Sequence, residues 1–216
     1  RQIKAKTVIN EYGLITAVIN TYAPALDCTV KLPQIEHNQH EISTPDVIYQ
    51  IVKDTPIELP ALLAMWLSLT ESEILGLTKS KSISSDGCYI TIKEVIVKDE
   101  HNNAVVKNKG KQPTRDRTLR LPEYLKQLID KVETDQLVTL SGTALSKRFN
   151  RLITKAGIPH MTFHDLRHVN ASVMAVLRIP DKYAQERGGW KTDHIMKSTY
   201  MQTFSSERAA IDNQID

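Results

Sequence analysis

The stretch from Leu59 to Leu69 is the longest apolar run in the sequence, and it constrains the fold more than any other segment. It contains Pro60, Trp66 and Ser68 and is well short of the roughly 18 residues needed to cross a bilayer. No membrane span is available. A helix over Leu59 to Leu67 that is apolar on every side has to be surrounded, so it is expected in the core.

Amphipathic segments flank this run. Val8, Tyr12, Ile15, Val18, Ile19 and Tyr22 recur at helical spacing over Thr7 to Leu26, until Pro24 ends the pattern. Thr29 to Glu41 has Pro33, several polar residues and no sustained period, which predicts a linker and a second domain beginning near Glu41. Thr44-Pro45 starts a helix with an apolar stripe of Val47, Ile48, Ile51 and Val52. Thr70 with Glu73 fits a capping box opening a short helix through Leu77. Tyr89 to Lys98 turns to β character, Asp99 to Asn103 is a polar turn, and Ala104 to Lys107 and Arg117 to Leu121 are short strands around a loop with Gly110 and Pro113. Helices follow over Tyr124 to Val132, Thr143 to Ala156, from Thr162 onward, Pro180 to Gly188 and Thr192 to Phe204. Asp165 completes a second capping box with Thr162, and Phe163, Leu166, Val173, Met174 and Leu177 form that helix's buried face. The expected class is mainly α with one small antiparallel β-sheet, an α+β domain over residues 41–216 preceded by residues 1–40.

Composition narrows the function classes. Hydrophobic residues make up 41% and charged residues 25%, which excludes a mostly disordered chain. Cys28 and Cys88 alone make no disulfide framework, so a reducing compartment, the cytoplasm, is expected. Arg1 to Lys6 is basic but leads into no apolar signal core, and the abrupt start suggests a piece of a longer chain. The net charge of +3 decides little, whereas its distribution is informative. Lys107, Lys109, Lys111, Arg115, Arg117 and Arg120 crowd one stretch and can follow a phosphate backbone or form a solvated hairpin rim.

The segment His164-Asp165-Leu166-Arg167-His168 carries the most chemistry. Residues three apart on a helix are neighbours, so His164 and Arg167 share a face near a helix N-terminus, a ready anion site. The same residues also suit a surface histidine beside an arginine paired to a carboxylate. His164 and His168, four apart, have the spacing of two zinc ligands, but Asp165 stands where a glutamate is expected. Downstream, Gly188-Gly189-Trp190 offers an indole donor and Tyr200 a hydroxyl nucleophile, although both residues also read as core aromatics.

The order His164-x-x-Arg167, Gly-Trp190, then Tyr200 ten residues on resembles the tyrosine recombinases, the phage-type integrases. Lys111 to Pro122 is similar to their β-hairpin segment, Ser72-Glu73-Ile74 with Leu77 to their Ser/Gly-Glu-hydrophobic helix, and Thr7 to Leu26 to the last helix of their core-binding domain. The resemblance implies that Tyr200 attacks a DNA phosphodiester and forms a 3′-phosphotyrosyl link. It gives Lys111 the role of general acid for the departing 5′-oxygen. Arg167, His164 and Trp190 would hold the nonbridging oxygens, and Glu73 would orient its neighbours. DNA contacts are expected at Lys107, Lys109, Arg115 and Arg117. It further implies no cofactor or metal, double-stranded DNA recombination sites as partners, a homotetramer on DNA that is monomeric when free, and a bacterial or phage origin.

One position departs from the pattern. The family has an arginine three residues before the glutamate, and here that place belongs to Thr70, which carries no charge. Two readings follow: a recombinase in which Lys79 or Lys109 fills the gap, or a degenerate one that binds DNA without efficient cleavage. Thr70 also makes sense as a plain helix cap.

Overall fold

The computed structural model describes residues 3–34, 42–108 and 117–192, with His194, Met196 and Lys197. The chain divides into two compact units, Arg1–His40 and Glu41–Asp216. The first contains α1 (Ala5–Tyr22), which buries no residue and ends where the Ala23 N–H reaches back to Ile19 O. Its C-terminal extension folds back far enough for the Tyr12 hydroxyl to donate to Cys28 O at 2.7 Å.

The second unit runs α2 (Pro45–Val52), α3 (Glu58–Leu67), α4 (Glu71–Leu75), α5 (Lys79–Ser82), β1 (Tyr89–Ile92), β2 (Glu94–Lys98), β3 (Ala104–Asn108), β4 (Arg117–Arg120), α6 (Glu123–Asp130), α7 (Gly142–Ala156), α8 (Asp165–Val176) and α9 (Asp181–Gly188). The central helix is α3. Every residue of it except Trp66 is buried, and it packs against α2, α6 and α8. Pro60 sits in its first turn, where no intrahelical donor is required. The buried Glu58 carboxylate binds the N-terminal end by accepting from the Asp54 N–H at 2.9 Å and from the Tyr124 hydroxyl of α6. That bond, the largest influence on Tyr124, raises its pKa well above the usual phenol range, ahead of the Tyr49 hydroxyl.

The strands form two sheets where one was expected. β1 pairs antiparallel with β4, Tyr89 opposite Arg120 and Ile92 opposite Arg117; β2 pairs antiparallel with β3, Glu94 opposite Asn108 and Lys98 opposite Ala104. Lys93 separates β1 from β2. The division follows burial: Ile90, Ile92 and Leu119 face the core, whereas no residue of β2 is buried, and β2 lies along α4. Gly76 permits that approach, since a Cβ there would stand 2.4 Å from Glu94 O.

Two further expectations change. The Thr162–Asp165 box is half formed: the Thr162 N–H and hydroxyl donate to Asp165 Oδ2 at 2.7 and 2.9 Å, but the Asp165 N–H goes to the Thr162 carbonyl. The helix therefore starts at Asp165, with His164 as its cap. Leu177 is 64% exposed because α8 ends at Val176 and Arg178, at φ 53°, turns the chain away. The expected Thr192–Phe204 helix lies largely outside the described residues, although Met196 is fully buried with Ala171, Met174, Ala184 and Trp190.

Gly76→Ala should lower unfolding stability by about 1–3 kcal/mol, the usual cost of overpacking, because the atoms it meets are backbone. Urea unfolding of the two proteins measures this.

Candidate functional site

The site grows from the C-terminal end of α3. A helix end leaves carbonyls without intrahelical donors and carries partial negative charge, so it attracts cations. Ser68 ends α3 in the left-handed region, φ 55°, and is fully buried. Three arginines from distant segments meet the carbonyls there. Arg167 of α8 donates through Nη1 to Ser68 O and through Nη2 to Gly188 O at 3.1 Å. Arg117 of β4 donates to Ser68 O at 3.3 Å, and Arg187 of α9 to Trp66 O at 3.1 Å. Asn170 completes the cap, its Nδ2 donating to Met65 O at 2.7 Å and Trp66 O at 3.3 Å.

One carboxylate holds this charge together. Glu73, 3% exposed, accepts a two-pronged bond from Arg117, Nη1 to Oε1 at 3.0 Å and Nη2 to Oε2 at 3.2 Å, and lies 4.0 Å from Arg167 Nη1. Its position is fixed by the complete capping box expected at α4. The Thr70 N–H donates to Glu73 Oε2 at 2.7 Å, and the Glu73 N–H donates to Thr70 Oγ1 at 3.3 Å. Thr70 is thus occupied as a cap, its hydroxyl also 3.2 Å from Ser72 Oγ.

Trp190 closes one side. Its ring centroid is 5.3 Å from Arg167 Cζ, and the residue is 6% exposed. Gly189 makes the turn before it at φ 64°, and a Cβ there would stand 2.4 Å from Arg117 Nη1, so both conformation and space require glycine. His164 is exposed, yet the protein around its ring desolvates it enough to hold its pKa below 6.5. The Arg167 charge acts in the same direction; Asp165 and Glu71 oppose it. The His164 and His168 rings stand edge to face at 5.9 Å, and His168 Nε2 is 3.7 Å from Asp165. Among the described residues no group of three or more His, Cys, Asp or Glu side chains is arranged for a metal, so the zinc reading gains no further ligand.

Of the residues singled out in the sequence, Thr70, Glu73, Arg167, Trp190 and Arg117 therefore come together, with His164 at the rim. Arg117 was expected on the DNA-facing hairpin and instead sits in the centre, its side chain 9% exposed. Lys107 is exposed on β3. Lys109, Lys111, Arg115 and Tyr200 lie outside the described residues. Lys79 donates to the Val132 carbonyl and so gives no support to its candidacy as the missing cation. Arg187 was not anticipated; it reads as one charge among several in α9, and only the packing of α9 against α8 and β4 brings it to the end of α3. A groove of about 880 Å³ between α4, the β2–β3 sheet and α7 is lined by Leu75, Ile96, Val97, Val138 and Leu140 and lies apart from the arginines.

Glu73→Gln should cost about 3–5 kcal/mol in unfolding stability, because it leaves buried guanidinium charge without its carboxylate. Chemical denaturation of the purified variant tests it. In the natural chain, an NMR titration should place the His164 midpoint below 6.5, leaving the ring neutral at pH 7.

A profile of the phage integrase family matches residues 72–207. An integrase from Saccharopolyspora erythraea is 32% identical over 65 residues, which is 30% of this chain and 15% of that protein. The chain thus spans a small part of that relative's length. Among solved structures, the Tn1549 transposon integrase in complex with transposon right end DNA is similar at a TM-score of 0.77 and 16% identity, over 99% of this chain and 81% of that one. XerA recombinase is similar at 0.61 and 16% identity, over 95% and 75%. A lambda integrase dimer bound to a core site is similar at 0.55 and 18% identity, over 91% and 79%. At such identities the structures establish a shared fold, and the family profile covers more than half of the sequence: the chain belongs to the phage integrase family.

Proposed function

We propose that this chain is the catalytic part of a site-specific DNA recombinase that cleaves and rejoins DNA through a 3′-phosphotyrosyl intermediate at Tyr200. The observation that carries the reading is the buried cluster in which Arg167 and Arg117 converge on Glu73 and Ser68 beside Trp190. A preorganised guanidinium group facing a water-poor site suits the charge that builds up on nonbridging phosphate oxygens in the transition state.

In this mechanism the Tyr200 hydroxyl oxygen bonds to phosphorus, the bond to the 5′-oxygen breaks, and that oxygen takes a proton from Lys111. Arg167, His164 and Trp190 hold the nonbridging oxygens. Because the pKa of His164 is held low, its imidazole is neutral at pH 7 and can accept the phenol proton through one nitrogen while donating through the other. Glu73 positions both arginines. The new ester conserves the phosphodiester, so another strand's 5′-hydroxyl can reverse the step without a nucleotide cofactor or metal.

Double-stranded recombination sites are the proposed partner, with Lys107, Lys109 and Arg115 contacting the backbone and four subunits assembling on DNA from free monomers. The DNA-bound state of the similar Tn1549 and lambda integrases supports this reading. Residues 1–40 would be the last helix of a core-binding domain with its linker, and residues 41–216 the catalytic domain. A bacterial or phage origin and a cytoplasmic site of action go with this.

A second reading, a degenerate recombinase that binds DNA without efficient cleavage, is favoured by Thr70, whose hydroxyl and N–H are both used in capping α4. Covalent trapping with nicked DNA from the ends of the parent element separates the two. The active enzyme gives a protein–DNA adduct that Tyr200→Phe abolishes. The degenerate one gives none until Thr70→Arg restores it, by about 10³- to 10⁵-fold, the scale of a transition-state arginine.

A further inference from the structure

We infer that Arg117 and Arg187 together supply the positive charge that Thr70 lacks, so that the first phosphate-holding cation of this chain is drawn from β4 and α9. The inference takes its ligand class, a phosphate oxygen, from the recombinase reading; the site itself rests on charge balance and unused donors.

Three guanidinium groups gather at the end of α3, and the one carboxylate described among them serves two. Glu73 takes both prongs of Arg117 and lies 4.0 Å from Arg167, while Arg187 has no carboxylate partner among the described residues. Its Nη2 is held by Trp66 O alone, and two influences depress its pKa: desolvation first, then the charge of Arg117. Arg187 and Arg117 reach carbonyls two residues apart at the same helix end, Trp66 O and Ser68 O, so their like charges repel in a half-buried place. An anion between them relieves that repulsion, whereas more protein packing does not.

Donors are also left over. Arg117 commits its Nη atoms to Glu73 and Ser68, and its buried Nε–H has no acceptor among the described residues, although the side chain is only 9% exposed. The fully buried Ser68 hydroxyl likewise has no partner there. A buried polar group without a partner is costly unless a ligand satisfies it. These donors adjoin the position of the missing arginine, because Arg117 Nη2 and the Thr70 N–H bind the same oxygen, Glu73 Oε2. Guanidinium groups suit the task, since their planar forks match phosphate oxygens and they stay charged when buried.

The test uses the full chain labelled with nitrogen-15 arginine and titrated with inorganic phosphate. The Nε–Hε resonances of Arg117 and Arg187 should shift together and saturate at one concentration; if saturating phosphate leaves both in place, the inference falls. This arm needs no variant, so it decides the matter even should a substitution fail to fold. Arg187→Gln should weaken phosphate binding at least about tenfold with its melting temperature held, and adding Thr70→Arg should restore binding. Arg187→Gln that folds and binds phosphate like the natural chain overturns the inference. In covalent trapping, Arg187→Gln should lower adduct yield by about 10²-fold or more, as loss of one transition-state donor does, and Thr70→Arg should recover it. An adduct from the natural chain that survives Arg187→Gln at full yield sinks the inference and leaves the recombinase reading standing. Phosphate responses as expected with no adduct from the natural chain support the inference and count against cleavage as the function.

Discussion

The carbonyl end of α3 is the constraint on which the rest of the second unit depends. A helix buried on nearly every side cannot turn its last carbonyls to water, so protein donors must reach them. Here those donors are Asn170, Arg167, Arg117 and Arg187, between 49 and 121 residues from their acceptors along the chain. Capping α3 therefore gathers β4, α8 and α9 around one point. The interaction that completes the fold also concentrates the charge.

That economy has an electrostatic cost. Burying guanidinium groups requires a counter-charge, and Glu73 is the carboxylate the cluster shares. Its position depends in turn on the capping box with Thr70, so a local backbone motif at the start of α4 sets the geometry of groups from two other elements, β4 and α8. Gly189 contributes from the opposite side. Its left-handed turn ends α9, leaves room for Arg117 and leads directly into Trp190. Among the described residues, the arginine cluster and Glu73 are held by helices and a strand rather than by long loops, which favours preorganisation.

Much of this was legible beforehand, for identifiable reasons. Periodicity located the helices, because a buried face must repeat with the helical turn whatever it packs against. The Thr70–Glu73 box was readable, since its partners lie three residues apart. Sequence patterns failed where partners are distant. The strand-forming run from Tyr89 to Lys98 predicted one sheet, but burial of Ile90 and Ile92 divides it at Lys93 into strands of different sheets. Arg117 read as part of a basic rim because its neighbours in sequence are basic, and Arg187 did not stand out at all. A charged side chain shows its role only when its counter-ion or its carbonyl is known.

By itself the sequence determined the α+β class, the Thr70–Glu73 cap of α4 and the ordered set His164, Arg167 and Trp190 that marks the family, all of which depend on local spacing or residue type. Tertiary structure alone decided that Arg117 belongs at the centre of the site, that Lys79 is tied to Val132, and that Arg187 is turned toward Trp66. The physical reason is that electrostatics acts through space: the charge absent at Thr70 can be supplied by any element folding brings within reach, and no local pattern records which one.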